Sequence, residues 1–526
     1  MNENFNEDID FEARAEERRQ RRRKRKRRNL IARTVFIVVL ILLIAAAAFA
    51  VWAFALNKDG SGFSFRFPGI GSPSGSTVTQ SGGGTSDTPE TAPVQTETTA
   101  VTEAPQTETQ PVVDHTSQLN EASLMAQGYD YDGAIALLQA IPDYQSDNAV
   151  TQAIADYEKC KNACVSVDVT TVPHIFYHSL VNDPSSAFNT EVLGQFAVDG
   201  MNAWMTTVDE FDKITQKMYD NGYVFVRLHD LVTETTDENG NVHFAPNTNL
   251  MLPPDKKPVV LSVDDLSYYH SYEDASFPDK LVLDENGLVK CHYVKPDGTE
   301  EVGDFDVVPR LNTFLREHPD GAYKGARGMI AMTGYNGVFG YRTDADYELR
   351  ENLMEDQSKW LNEHPDFNRQ TEIAEATKIA DALKAEGWEF ASHTWGHLSV
   401  TNKTVDELRV DNEKWVANVQ NIVGPVDTII FAHGNDIGDW QDYSSDNEKY
   451  QYFKSAGYNF FCNVDGSQPY WVQIRDQYVR QGRIDLDGYM LYQSSQGSTT
   501  VLDNMFMASE VFDSRRPTPV VANGEG

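Results

Sequence analysis

The chain is short of cysteine. Four in 526 residues cannot build a disulfide scaffold. Cys160, Cys164, Cys291 and Cys462 contain no Cys-x-x-Cys pair, which argues against a cysteine zinc cluster. Cys160 and Cys164 stand four apart on an expected helix, an awkward geometry for a disulfide, and are expected as buried thiols. Positive charge is scarce too, with 44 Lys+Arg against 79 Asp+Glu and a net charge of −35. Residues 1–33 hold 12 Lys+Arg and 7 Asp+Glu, so that segment is +5 and the remainder is −40. A body of that sign repels nucleic acid and anionic lipid, so no nucleic-acid partner is expected. Neutral and cationic partners, such as amino-sugar polymers, remain open. Apolar residues make up 40%, slightly under the usual share, as expected if a long unfolded segment dilutes an ordinary core.

What is present begins with a membrane signal. Residues 18–28 read RRQRRRKRKRR, and Thr34 to Leu56 follow as 23 residues without a charge. At about 1.5 Å per residue such a helix crosses a bilayer core of about 30 Å. Basic residues stay in the cytoplasm, so the expectation is a single-pass membrane protein with its N-terminus inside and its C-terminal domain extracellular. The run is too long for a cleaved signal peptide, and no small-residue cleavage site ends it. We therefore divide the chain into a cytoplasmic tail (1–33), a transmembrane helix (34–56) and a disordered Ser/Thr/Pro/Gly-rich linker (57–116). These are followed by a short helical, tetratricopeptide-like stalk (117–165), a large domain (166–510) and a flexible tail (511–526). The linker is too polar to offset its ordering entropy.

In the large domain, short apolar runs alternate with amphipathic helices. The runs are 172–178, 223–228, 258–263, 327–332, 388–392, 427–432 and 459–464; the helices lie near 209–220, 305–317, 371–386, 404–421 and 446–456. This alternation predicts an α/β fold with a mainly parallel sheet, of a size that suits a barrel. Chemistry in such folds sits at the C-terminal ends of strands. There the sequence places Asp264-Asp265, His393 and His397 (four apart), His433 and His178. Two imidazoles and a carboxylate suit a metal ion, and an adjacent carboxylate suits a proton acceptor. Singly, each of these residues is as compatible with a turn, a cap or a packed histidine.

Together they resemble the polysaccharide deacetylases with a NodB-homology domain (carbohydrate esterase family 4), over about residues 170–495. The likeness rests on VPHIFYHSL, FDKITQKMYDNGYVFVRLHDL, VVLSVDD, SHTWGH and IIFAHGNDIG. It implies a distorted (β/α) barrel and a metal-dependent hydrolase that removes N-acetyl groups from an amino-sugar polymer. It further implies a divalent metal, zinc foremost, on Asp265, His393 and His397. Asp264 would be the base, and His178 or else His433 the acid. Trp395, Tyr268 and Trp440, with Tyr269, are candidates to stack on sugar rings. Leu266 stands at the family's glycine after Asp-Asp, so the turn there must avoid a positive φ. The spacing of 128 positions from Asp265 to His393 implies an insertion near 270–325. His433-Gly434 replaces Tyr-Pro, and the late strand, placed at 489–492, has no histidine. The competing readings are a wall-facing carbohydrate-binding scaffold without turnover, and an O-acetyl esterase using the same metal.

Protease added to intact cells is expected to remove the domain beyond residue 57 and to spare the basic tail. Protection of that domain in sealed, correctly oriented cells would reverse the orientation.

Overall fold

The computed structural model describes residues 114–522 except Asp274 and Asp439. The expected tail, transmembrane helix and nearly all of the linker lie outside the described residues. Among the described residues, no helix is long and apolar enough to cross a membrane.

Seven parallel strands close into a barrel. They are β1 (His174–Tyr177), β2 (Lys257–Asp264), β3 (Met329–Met332), β4 (Glu389–Ser392), β5 (Thr428–Ile430), β6 (Phe460–Val464) and β7 (Tyr478–Asp485). Each pairs with the next in sequence, and β7 returns to β1 through Ile484↔Ile175 and Asp485↔Phe176. Two short strands widen the N-terminal end of the wall. Tyr223–Phe225 pairs with residues 257–259 of β2, below the stretch that β3 takes. Trp471–Arg475 runs antiparallel along residues 478–482 of β7, below the stretch that β1 takes.

The strands alternate between two interiors, because successive side chains point to opposite faces. Along β2, Val259, Leu261 and Val263 face the surrounding helices, in one cluster with Ile214, Leu311, Ala380, Leu383 and Trp415. Val260 faces inward with Met329, Ala331, Ile430, Phe460, Cys462 and Val479, which form an apolar barrel floor. Above that floor the inward residues of β2 turn polar: Ser262, then Asp264. That switch puts ionisable groups at the C-terminal rim.

The expected runs and helices correspond to elements shifted by a few residues, as in Val208–Asp220, Val307–Glu317, Arg369–Glu386 and Glu448–Ser455. The seventh strand differs from expectation. It is 478–485, whereas 489–492, expected as the late strand, belongs to the helix Gly488–Ser495. The segment YVRQGRID buries Arg480, Gln481 and Arg483, a pattern that reads as solvent-facing in sequence. The insertion near 270–325 contains an antiparallel sheet of Lys280–Leu283, Val289–Val294 and Glu300–Gly303.

The helices Thr116–Gln127, Tyr131–Gln139 and Asn148–Ala163 share a small core of Ala122, Ala134, Leu138, Val150 and Ile154. They dock on the barrel through Tyr129, whose hydroxyl donates to the Asp320 carbonyl at 2.6 Å, and through Gly128, whose carbonyl accepts from Lys324 N at 2.7 Å. Cys164 is buried but Cys160 is exposed, because the helix turns Cys160 to solvent, contrary to the expectation that both are buried.

The segment after 510, expected to be a loose tail, is fastened as far as it is described. Thr207 and Glu210 form a capping box at the start of Val208–Asp220. The buried Glu210 also accepts from Asp513 N at 2.9 Å and from Arg516 Nε at 2.7 Å. Arg516 donates further to the carbonyls of Asn202 and Met205. Both charges are fully buried, and breaking such a pair strands one of them. Arg516→Met is expected to cost about 3–5 kcal/mol in urea unfolding. A loss below about 1 kcal/mol, the scale of an exposed pair, would contradict a closed clamp.

Candidate metal centre

Asp265, His393 and His397 come together at the C-terminal rim, and one ligand atom from each lies within 4.8 Å of the others. His397 Nε2 is 3.6 Å from Asp265 Oδ2, and His393 Nε2 is 4.0 Å from Asp265 Oδ1. Asp265 and His393 are buried; His397 is half-buried. The donors suit a divalent cation: two neutral imidazoles and one carboxylate. Burial lowers the pKa of both histidines, which favours the uncharged form that ligation requires. Burial works to raise Asp265, but His397, His393, His178 and the Tyr269 hydroxyl bring it down to about 2. His393 Nδ1 lies 2.8 Å from the Ile430 carbonyl oxygen. A carbonyl only accepts, so Nδ1 carries the proton and the Nε2 lone pair faces the centre.

The backbone is bent to achieve this. Asp265, Thr394, His397 and His433 all have left-handed φ, at 60°, 62°, 52° and 58°. Such conformations cost about 1–3 kcal/mol each and persist only where neighbours over-determine them. Here Leu398 N donates to Thr394 Oγ1, and the Asp411 carboxylate accepts from Trp395 N and Gly396 N. Leu266 avoids a positive φ as expected, and the left-handed turn falls on Asp265 and Tyr268 instead. Arg342 fixes the far side of that turn by donating to the Tyr268 carbonyl at 3.1 Å.

Asp264 faces the same space from inside the barrel. Its Oδ2 is 3.8 Å from His393 Nε2, and Arg483 Nη1 donates to Oδ1 at 2.8 Å and to Oδ2 at 3.0 Å. The Arg483 guanidinium lies over the Phe176 ring at 4.0 Å. His178 stands edge-on to Phe176, with a buried Nδ1 that has no hydrogen-bond partner. It lies close enough to interact electrostatically with Asp265, His397 and Asp487, which places it on this rim. His433 is exposed. Its ring lies 4.3 Å from that of His397, and its Nε2 donates to the His397 carbonyl at 3.1 Å. That bond engages one nitrogen in holding the left-handed backbone of His397.

The aromatic candidates separate. Tyr268 is buried and donates to Asp306 Oδ2 at 2.8 Å, so it presents no face to a sugar; the left-handed turn points it into the core. Trp395 donates to Asp344 at 2.6 Å, and Lys414 Nζ lies over its ring at 3.8 Å. Tyr269 is buried, donates to Asp265 and stacks on Tyr335. Trp440 stays exposed, edge to face with Trp471.

Sequence reasoning missed Arg483, Asp485 and Asp487, because β7 was not recognised as a strand. Burial raises the pKa of Asp485 well above the usual range and that of Asp487 to about 6, and the Asp487 and Asp264 carboxyls raise Asp485 further. The available signal was the strand-end rule applied to RQGRIDLD, whose alternate residues Gln481, Arg483 and Asp485 point inward.

No family model and no curated protein matches the chain. Among solved structures it is similar to a chain described as "Streptococcus pyogenes deacetylase PplD in complex with acetate". The identity is 14% and the TM-score 0.28, over 61% of this chain and 96% of that one. The superposition is too loose to carry fold or residue roles from one to the other.

Dialysed against zinc and then against buffer, the protein is expected to keep one ion. His393→Ala and His397→Ala should keep none, by elemental analysis. Full retention by either variant would break the ligand assignment.

Proposed function

We propose that the chain is a metal-dependent hydrolase that removes N-acetyl groups from an amino-sugar polymer, held outside the cell by residues 34–56. What carries the reading is one juxtaposition: Asp264, fixed by Arg483, stands beside the Asp265–His393–His397 nest at the open end of a parallel barrel. Acyl hydrolysis needs a group that takes a proton from water, stabilisation of a developing oxyanion, and a group that returns a proton to the leaving nitrogen. A divalent cation bound by Asp265, His393 and His397 supplies Lewis acidity for the water and the carbonyl.

The remaining steps belong to the side chains. Asp264 accepts a proton as the water oxygen bonds to the amide carbon. Arg483 holds the Asp264 carboxylate in place throughout. As the carbon–nitrogen bond breaks, His178 protonates the nitrogen, and the products are acetate and a free amine. His178 is preferred to His433 because its Nδ1 is unengaged, whereas His433 Nε2 is bonded to the His397 carbonyl. Trp440 remains open to a sugar ring, and the acidic body attracts the cationic product. The sequence motifs support the same substrate class.

Acetate release from acetylated glucosamine oligomers, measured with defined zinc loading, tests the proposal. Asp264→Asn is expected to keep the metal and to lose about 10²–10⁴ in turnover, because an amide cannot take the proton. His178→Ala should also keep the metal and lose turnover; if only His433→Ala does so, His433 is the acid. Release from O-acetyl groups alone would reassign the bond. Binding without any release would leave a carbohydrate-binding protein in place of an enzyme.

A further inference from the structure

Beneath Arg483 lies a set of polar side chains that no step above uses. His174 on β1, Ser262 on β2 and Gln481 on β7 are fully buried inside the barrel. Gln481 Nε2 donates to the Val172 carbonyl at 2.9 Å, and His174 Nδ1 is 3.0 Å from Gln481 Oε1. His174 Nε2 is 3.0 Å from Ser262 Oγ, and Arg483 Nη1 is 3.1 Å from the same oxygen.

The direction of every bond follows from its first member. A carbonyl only accepts, so the Gln481 amide nitrogen faces Val172 and its oxygen faces His174. His174 Nδ1 must then donate, which leaves Nε2 as an acceptor. The Ser262 hydroxyl donates to Nε2, and its lone pair accepts from Arg483. Arginine has no acceptor, so the reverse order is closed. A proton on His174 Nε2 would leave the Ser262 hydrogen without its acceptor. Burial and the positive Arg483 also hold the imidazole uncharged.

Arg483 Nη1 therefore meets two acceptors: Ser262, and the Asp264 carboxylate at 2.8 and 3.0 Å. We infer that His174, Ser262 and Gln481 are positioning residues: a neutral, one-way hydrogen-bond chain that aims the Arg483 guanidinium at Asp264. The inference rests on Asp264 being the proton acceptor of the proposed reaction. The chain touches neither substrate nor metal ligand, so its loss should appear in kcat rather than in KM or metal content.

Two measurements on the full chain test it. The protein has 12 histidines, and selective ¹⁵N-histidine labelling, assigned with His174→Gln, reads the tautomer directly. The expected signal is a neutral ring protonated on Nδ1 at neutral pH; an imidazolium or an Nε2–H ring would overturn the inference. In zinc-loaded protein, Ser262→Ala should lower kcat for acetate release about 10-fold, with KM and metal content unchanged. His174→Gln, which can preserve one donor and one acceptor, should retain more activity than His174→Leu. A Ser262→Ala protein with wild-type kcat would overturn the positioning role. A wild type that releases no acetate would overturn the proposed reaction, and the nitrogen shifts alone would then decide the chain.

Discussion

Asp264 and Arg483 meet where neither charge reaches water, and much of the barrel is arranged around that meeting. Transferring two ions from water into such a place costs several kcal/mol per ion unless geometry and further hydrogen bonds compensate. Here one guanidinium nitrogen serves both carboxylate oxygens, the Phe176 ring covers the guanidinium face, and Ser262 supplies an uncharged acceptor. The price of this polarity is confined to the upper half of the barrel. Below it, Val260, Met329, Phe460 and Val479 form the apolar floor. The same strands thus bury ordinary core at one end and ionisable groups at the other.

The rim adds a second constraint, in the backbone. Four residues around the opening adopt left-handed φ, and one of them, Thr394, is β-branched, for which the conformation is a genuine outlier. These bends let short loops carry imidazoles and a carboxylate to a common point rather than out to solvent. Their supports are local and polar: Asp411 beneath the 395–396 amides, Thr394 Oγ1 for Leu398 N, and His433 for the His397 carbonyl. The unpartnered Nδ1 of His178 and Oδ1 of Asp485 belong to the same pattern. Polar atoms buried at a rim without protein partners are natural places for substrate or water to bind.

The strands legible in sequence were those with continuous apolar runs, as in VVLSV and TIIFA. A parallel strand buried on both faces has to read that way. β7 was not legible because its inward face carries Gln481, Arg483 and Asp485, whose burial depends on partners far away in sequence. For the same reason Asp264 was visible beside its neighbour while the arginine that holds it was not. Spacing alone paired His393 with His397, because four residues and a tight turn bring two rings to one side. It could not reveal that Tyr268 turns into the core, since that depends on Asp306, 38 residues further on. The order of the segment after 510 was hidden likewise, because its anchor is an acid in the first half of the domain.

That anchor bears on how the protein comes to exist. Glu210 and Arg516 are 306 residues apart, and β1 needs β7 to complete the ring. A ribosome therefore releases the acid long before the base that neutralises it, and the first wall of the barrel long before the last. No N-terminal fragment that ends before β7 can close the ring, because β1 then lacks its second neighbour. Premature termination anywhere before Arg516 leaves Glu210 without the cation that neutralises it in the buried pair.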